Sequence, residues 1–107
     1  MHGVQLRFYT YETSSHHGMS VYEWLLEQAK KQGIHGGSAF RAIAGFGRHG
    51  KLHEQHFFEL AGEVPVLVEF IMGEEQAAAF LALLRLENLD LFHSRCAVEY
   101  GFVAETR

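Results

Sequence analysis

"VPVLVEFIMGEEQAAAFLALL", residues 64–84, changes its hydrophobic period at Gly73. Up to Met72 the residues are β-branched or apolar almost without interruption, which fits a central strand. Pro65 stands at its start, where a missing N–H is tolerated. Beyond Gly73, Ala77, Phe80, Leu81 and Leu84 recur at i, i+3, i+4 and i+7, the spacing of one helical face. Glu74 and Glu75 stand in the first turn, where carboxylates favour the helix dipole. A strand followed at once by a helix is two of the three elements of a β-α-β unit, so the fold turns on what flanks it.

Working outward, "VQLRFYTY" (4–11) alternates, with Val4, Leu6 and Phe8 on one face and Gln5, Arg7 and Tyr9 on the other. That is a half-buried strand. "ETSSHHGM" (12–19) reads as a polar connection. Ser20 opens a helix, with Glu23 placed for a capping box and Met19 and Trp24 for a hydrophobic staple. Tyr22, Leu25, Leu26 and Ala29 follow at helical spacing, and Gly33 stops the helix after Lys30 and Lys31. "SAFRAIAGF" (38–46) predicts a second strand, and "RCAVEYGFV" (95–103) a last one. The order β-α-β-β-α-β is the ferredoxin-like α+β pattern: a four-stranded antiparallel sheet with two helices on one face. Nothing resembles a linker or a repeat, so residues 1–107 are expected to form a single domain.

The composition narrows the function. A formal net charge of -4 argues against nucleic acid as the main partner, since that binding needs many cationic contacts to phosphate. The lone Cys96 permits no internal disulfide and reads as a small core residue of a protein in a reducing, cytoplasmic compartment. No signal peptide and no membrane span are visible. Apolar residues at Tyr9, Tyr11, Leu67, Ile71, Tyr100 and Phe102 fall on what would be the helix-free face of the sheet. Exposing them all would leave a large adhesive patch; some can lie under loops, and burial in a homo-oligomer is the sharper expectation.

The ordered motifs His17-Gly18, Tyr22-Glu23, Gly37-Ser38, Arg41, Ile43, Gly45-Phe46-Gly47, Pro65 and Glu69 resemble the domain-of-unknown-function 190 family, grouped with the PII-like proteins. The resemblance runs from about residue 4 to 90. Gly45-Phe46-Gly47-Arg48-His49-Gly50-Lys51 is also similar to the start of the T-loop of true PII signal proteins. The resemblance implies a homotrimer that binds an adenine nucleotide (ATP, ADP or AMP) in clefts between subunits. It further implies action on a partner protein, for instance a membrane transporter or channel, through a loop at about 46–58. The stretch "RLENLDLFHSR" (85–95) departs from true PII proteins: it has two acids and no glycine where they carry a Gly- and Lys-bearing phosphate loop.

The residues themselves leave alternatives open. Gly45 and Gly47 permit positive φ and close backbone approach, so their N–H groups can form an anion nest, or they can simply end a hairpin. Arg48 and Lys51 can meet a phosphate or stand in solvent. Arg41, within a strand, needs Glu69 or a subunit cleft. With Phe46 and His49, and with His17 near the first helix's N-terminus, these make the candidate ligand-binding set. The alternative is a metal site of His49, His53 and His56, the first two at helical i, i+4 spacing. No catalytic constellation stands out: Ser14 and Ser15 beside His16 and His17 lack an elbow or an oxyanion signature, and no enzyme is expected.

Overall fold

The computed structural model describes residues 1–46, 53–54 and 64–105, with the backbone alone at 53–54. Strand β1 spans His2–Tyr11, hairpin strands β2 and β3 span Ser15–His16 and Met19–Ser20, and helix α1 spans Val21–Lys31. Strands β4 (Gly37–Arg41), β5 (Ala44–Gly45), β6 (His53–Glu54) and β7 (Pro65–Met72) follow, then helix α2 (Glu74–Leu86) and strand β8 (Phe92–Glu99). The main sheet runs β4-β7-β1-β8, with all three pairings antiparallel. β1 and β4 are therefore parallel with β7 between them, the split β-α-β unit of the ferredoxin-like fold.

Alternation along β1 and β7 puts Val4, Leu6, Phe8, Val66, Val68, Phe70 and Met72 on one face, all buried. The helices cover that face with Trp24, Leu25 and Ala29 of α1 and Ala77, Phe80 and Leu84 of α2. Phe8, Phe70 and Phe80 meet edge to face, at centroid separations of 6.2, 5.8 and 5.4 Å, and so lock β1, β7 and α2 together. A Cβ on Gly37 would collide with the Phe70 ring, so glycine lets edge strand β4 lie against the aromatic cluster.

Among the described residues no helix covers the other face. The strand register aligns Phe40, Leu67, Tyr9 and Phe92 in one row across all four strands. Tyr9 and Phe92 touch, at 5.5 Å between centroids. Yet Phe40 is 50% exposed and Phe92 76%. The next row is polar: Ser38, Glu69, Arg7 and Ser94, with Arg7 Nε donating to Glu69 at 2.9 Å.

Both helix stops are built alike. After α1, Gly33 takes φ +80 and Ile34 N–H reaches Ala29 O at 3.0 Å. After α2, Asn88 takes φ 57 and Leu89 N–H reaches Leu84 O at 3.0 Å. These are Schellman closures, each followed by an apolar residue that folds back on the core.

Several expectations need correction. The strand read over 38–46 is two pieces: β4 ends at Arg41, and β5 leaves the sheet to pair with β6. The last strand is Phe92–Glu99, so Tyr100 and Phe102 lie beyond it. The connection at 12–19 holds a hairpin, because His17 (φ 52) and Gly18 (φ 77) form the two-residue turn with positive φ at both centres. Ser20 is the N-cap of α1, but its hydroxyl donates to Glu23 Oε1 at 2.7 Å and no side chain caps the backbone. Cys96 is exposed, not in the core, because the register places it opposite Gln5 on the helix-free face. No described helix is long and apolar enough to cross a membrane.

Candidate functional site

Two places gather the candidate residues. The first is a neck at one end of the sheet. Glu12 N–H donates to Val64 O at 2.7 Å and Ala42 N–H to Pro65 O at 2.9 Å, which draws the ends of β1, β4 and β7 together. Arg41 adds a side-chain clasp to Glu12. Neither sequence alternative for Arg41 foresaw this partner: Glu69 is engaged by Arg7 instead. From the neck, Gly45 pairs with His53 across β5 and β6, and Phe46 is 73% exposed. Gly45 does not take a positive φ; its backbone pairs in β5, so any ligand contact it makes is not through a left-handed turn at this residue. Gly47, Arg48, His49, Lys51 and His56, and the side chain of His53, lie outside the described residues.

The second place is built from elements far apart in sequence. The His17-Gly18 turn presents both imidazoles to the C-terminal end of α2, with ring centroids 4.1 Å apart. Neighbouring residues in a strand point to opposite faces; the positive φ at His17 brings its ring round beside that of His16. His16 Nε2 lies 2.9 Å from Glu87 Oε1, and His17 Nε2 lies 2.7 Å from the same oxygen. The His16 side chain is 15% exposed and stands edge-on to Trp24 at 4.8 Å. That of His17 is 66% exposed. Glu87 is the C-cap of α2, held there by the Asn88 closure.

A carboxylate at a helix C-terminus faces the negative end of the dipole and needs compensation. The hydrogen bonds from His16 and then His17 supply it, holding the Glu87 carboxyl below its usual range. His17, expected near an anion at the start of α1, thus meets an anion that the chain itself provides. The position of Glu87 within 85–95 also puts a negative group into the stretch that departs from the PII phosphate loop.

Glu87 and Glu12 were missed by sequence reading. No periodic or spacing signal joins His16 to a residue 71 positions away. The His-Gly pair, a tight-turn signature, was the available clue to the hairpin.

Comparison with known proteins adds the following. The model of a family described as "DUF190: Uncharacterized ACR" matches residues 3–88. A "UPF0166 protein" of Aquifex aeolicus (strain VF5) is 36% identical over 96 residues, covering 82% of this chain and 91% of that one. Among solved structures, CPII of Thiomonas intermedia K12, "a nitrogen regulatory PII-like protein", was determined bound to ADP, AMP and bicarbonate. It superposes with a TM-score of 0.68 at 14% identity, over 95% of this chain and 91% of that one. The apo form of CPII superposes with a TM-score of 0.61 at 11% identity, over 95% of each chain.

Proposed function

The chain belongs to the DUF190 family, and from that premise we propose that it is a cytosolic PII-like regulator, not an enzyme. It binds a small anionic ligand, an adenine nucleotide, in clefts between the subunits of a homotrimer. The ligand changes the fit of the segment at about 46–58 to a partner protein, such as a membrane transporter or channel.

The observation that carries this reading is the fold shared with CPII, a regulatory protein solved with ADP and AMP, over nearly the whole chain. Two features of the chain support it. The helix-free row of Phe40, Leu67, Tyr9 and Phe92 is an apolar surface suited to a second copy. The neck anchors the segment that starts at Gly45 and Phe46 to the sheet, so a ligand held beside Arg41 would be felt at its root. Gly45, Phe46, Gly47, Arg48, His49, Lys51, Arg41 and His17 remain the proposed contacts.

Calorimetric titration with ATP, ADP and AMP, run beside light scattering, tests the reading. The expected result is saturable nucleotide binding by a particle of about three times the 12.2 kDa chain mass. A stable monomer, or a trimer that takes up none of the three nucleotides, would overturn it.

A further inference from the structure

We propose that His16, His17 and Glu87 form a binding site for a divalent transition-metal ion of the zinc class, complete within one chain and separate from the histidines at 49, 53 and 56. The argument begins with convergence. One ligand atom from each side chain falls in a group whose members all lie within 4.8 Å of one another. At metal bond lengths of ~2.0–2.2 Å, tetrahedral ligand atoms stand about 3.3 Å apart. The two contacts of 2.7 and 2.9 Å to Glu87 therefore open by a few tenths of an ångström, while the two imidazole ligand atoms, within 4.8 Å of each other, close toward the same spacing. His17 and Glu87 are exposed enough to turn by that amount.

The donor chemistry is selective. Two imidazole nitrogens and one carboxylate oxygen suit zinc and its neighbours, whereas magnesium and calcium prefer all-oxygen shells. A carboxylate only accepts hydrogen bonds, so both Nε2 atoms carry protons in the ion-free arrangement. An ion needs the two Nε2 lone pairs, so on binding each Nε2 proton leaves or moves to Nδ1. The end of α2 adds its partial negative charge behind Glu87 and favours a cation. Three protein ligands leave a fourth position open to water or to a small anion.

The backbone is committed to this geometry from both sides. His17 and Asn88 are the two residues other than glycine with positive φ among the described residues. One is a proposed ligand, and the other adjoins a proposed ligand. Asn88 is an ordinary helix stop. His17 holds its positive φ as the first central residue of the β2–β3 turn, and that turn carries its ring to Glu87. On the inner side, Trp24 sets the plane of the His16 ring, as a supporting group orients a metal-bound imidazole.

Zinc chloride titrated into the full chain by calorimetry, with cobalt(II) absorption as the spectroscopic readout, tests the site. The wild type should bind one equivalent per chain, and calcium or magnesium should not compete. His17→Ala and Glu87→Gln should each weaken zinc binding at least 10–100-fold and abolish the cobalt spectrum, the range known for losing even a supporting group. Both positions are open enough to keep the fold, which thermal melting without metal verifies. A variant with His49, His53 and His56 all changed to alanine should keep the bound equivalent. Failure of the wild type to bind zinc, wild-type binding by His17→Ala or Glu87→Gln, or loss of the equivalent in the triple variant would each overturn the site. Nucleotide binding plays no part in these readouts, so their failure is distinct from failure of the regulatory reading.

Discussion

The two faces of the sheet come from the same strands, yet they are finished differently. On the helix side, Leu6, Phe8, Val68 and Phe70 are closed off by α1 and α2 and are at most 1% exposed. On the open side, Tyr9 and Leu67 alternate with them along the same backbone and continue into Phe40 and Phe92, with no described helix above them. A period of two assigns each residue to a face, but it does not say what covers that face. Among the described residues the chain covers one side with α1 and α2, and the other side is the one the proposed homotrimer would use.

The largest break in this contrast should come from Phe70→Ala. It empties the centre of the Phe8–Phe70–Phe80 cluster and should cost ~3–5 kcal/mol in denaturant unfolding. Gly37→Val probes the same ring from the edge strand. Overpacking against Phe70 should cost about 1–3 kcal/mol by the same assay. Leu67→Glu, on the opposite side of the same strand, should leave the far-UV circular dichroism of the folded chain intact. On the proposed homotrimer, it should reduce the mass seen by light scattering from about three chains of 12.2 kDa to one. If Leu67→Glu instead unfolds the protein and Phe70→Ala does not, the assignment of the two faces is wrong. The smallest effect belongs to Arg95→Ala. Its ion pair with Glu74, 2.8 Å long and largely in solvent, should contribute at most ~1 kcal/mol, and added salt should erase the difference from wild type.

Most of the architecture was legible in the sequence, because burial imposes period. Val4, Leu6 and Phe8 declare β1, and Ala77, Phe80 and Leu84 declare α2, without help from anything distant. Errors arose where the period is short or the partner remote. Ala42 and Ile43 look like more strand, but the chain turns there as β5 pairs with β6 rather than β7. Cys96 looked buried by residue type, and only the register with Gln5 shows which face it occupies. The histidine cluster was half legible. His17-Gly18 marks a turn, but Glu87 joins it through the packing of α2 across the sheet, which no local pattern records. Several proposed ligand residues fall between 47 and 63, where this contrast of faces does not reach.

The neck has a consequence for how such a chain tolerates change. Ala42 and Pro65 are bonded across the point where the intervening stretch leaves and returns, so its two ends are already joined by the body of the protein. The entropic penalty for closing a loop between fixed ends grows only as the logarithm of its length, about 0.6 kcal/mol for each doubling. With Ala42 and Pro65 already bonded, a change in the number of residues between them would add little to the closure cost of folding.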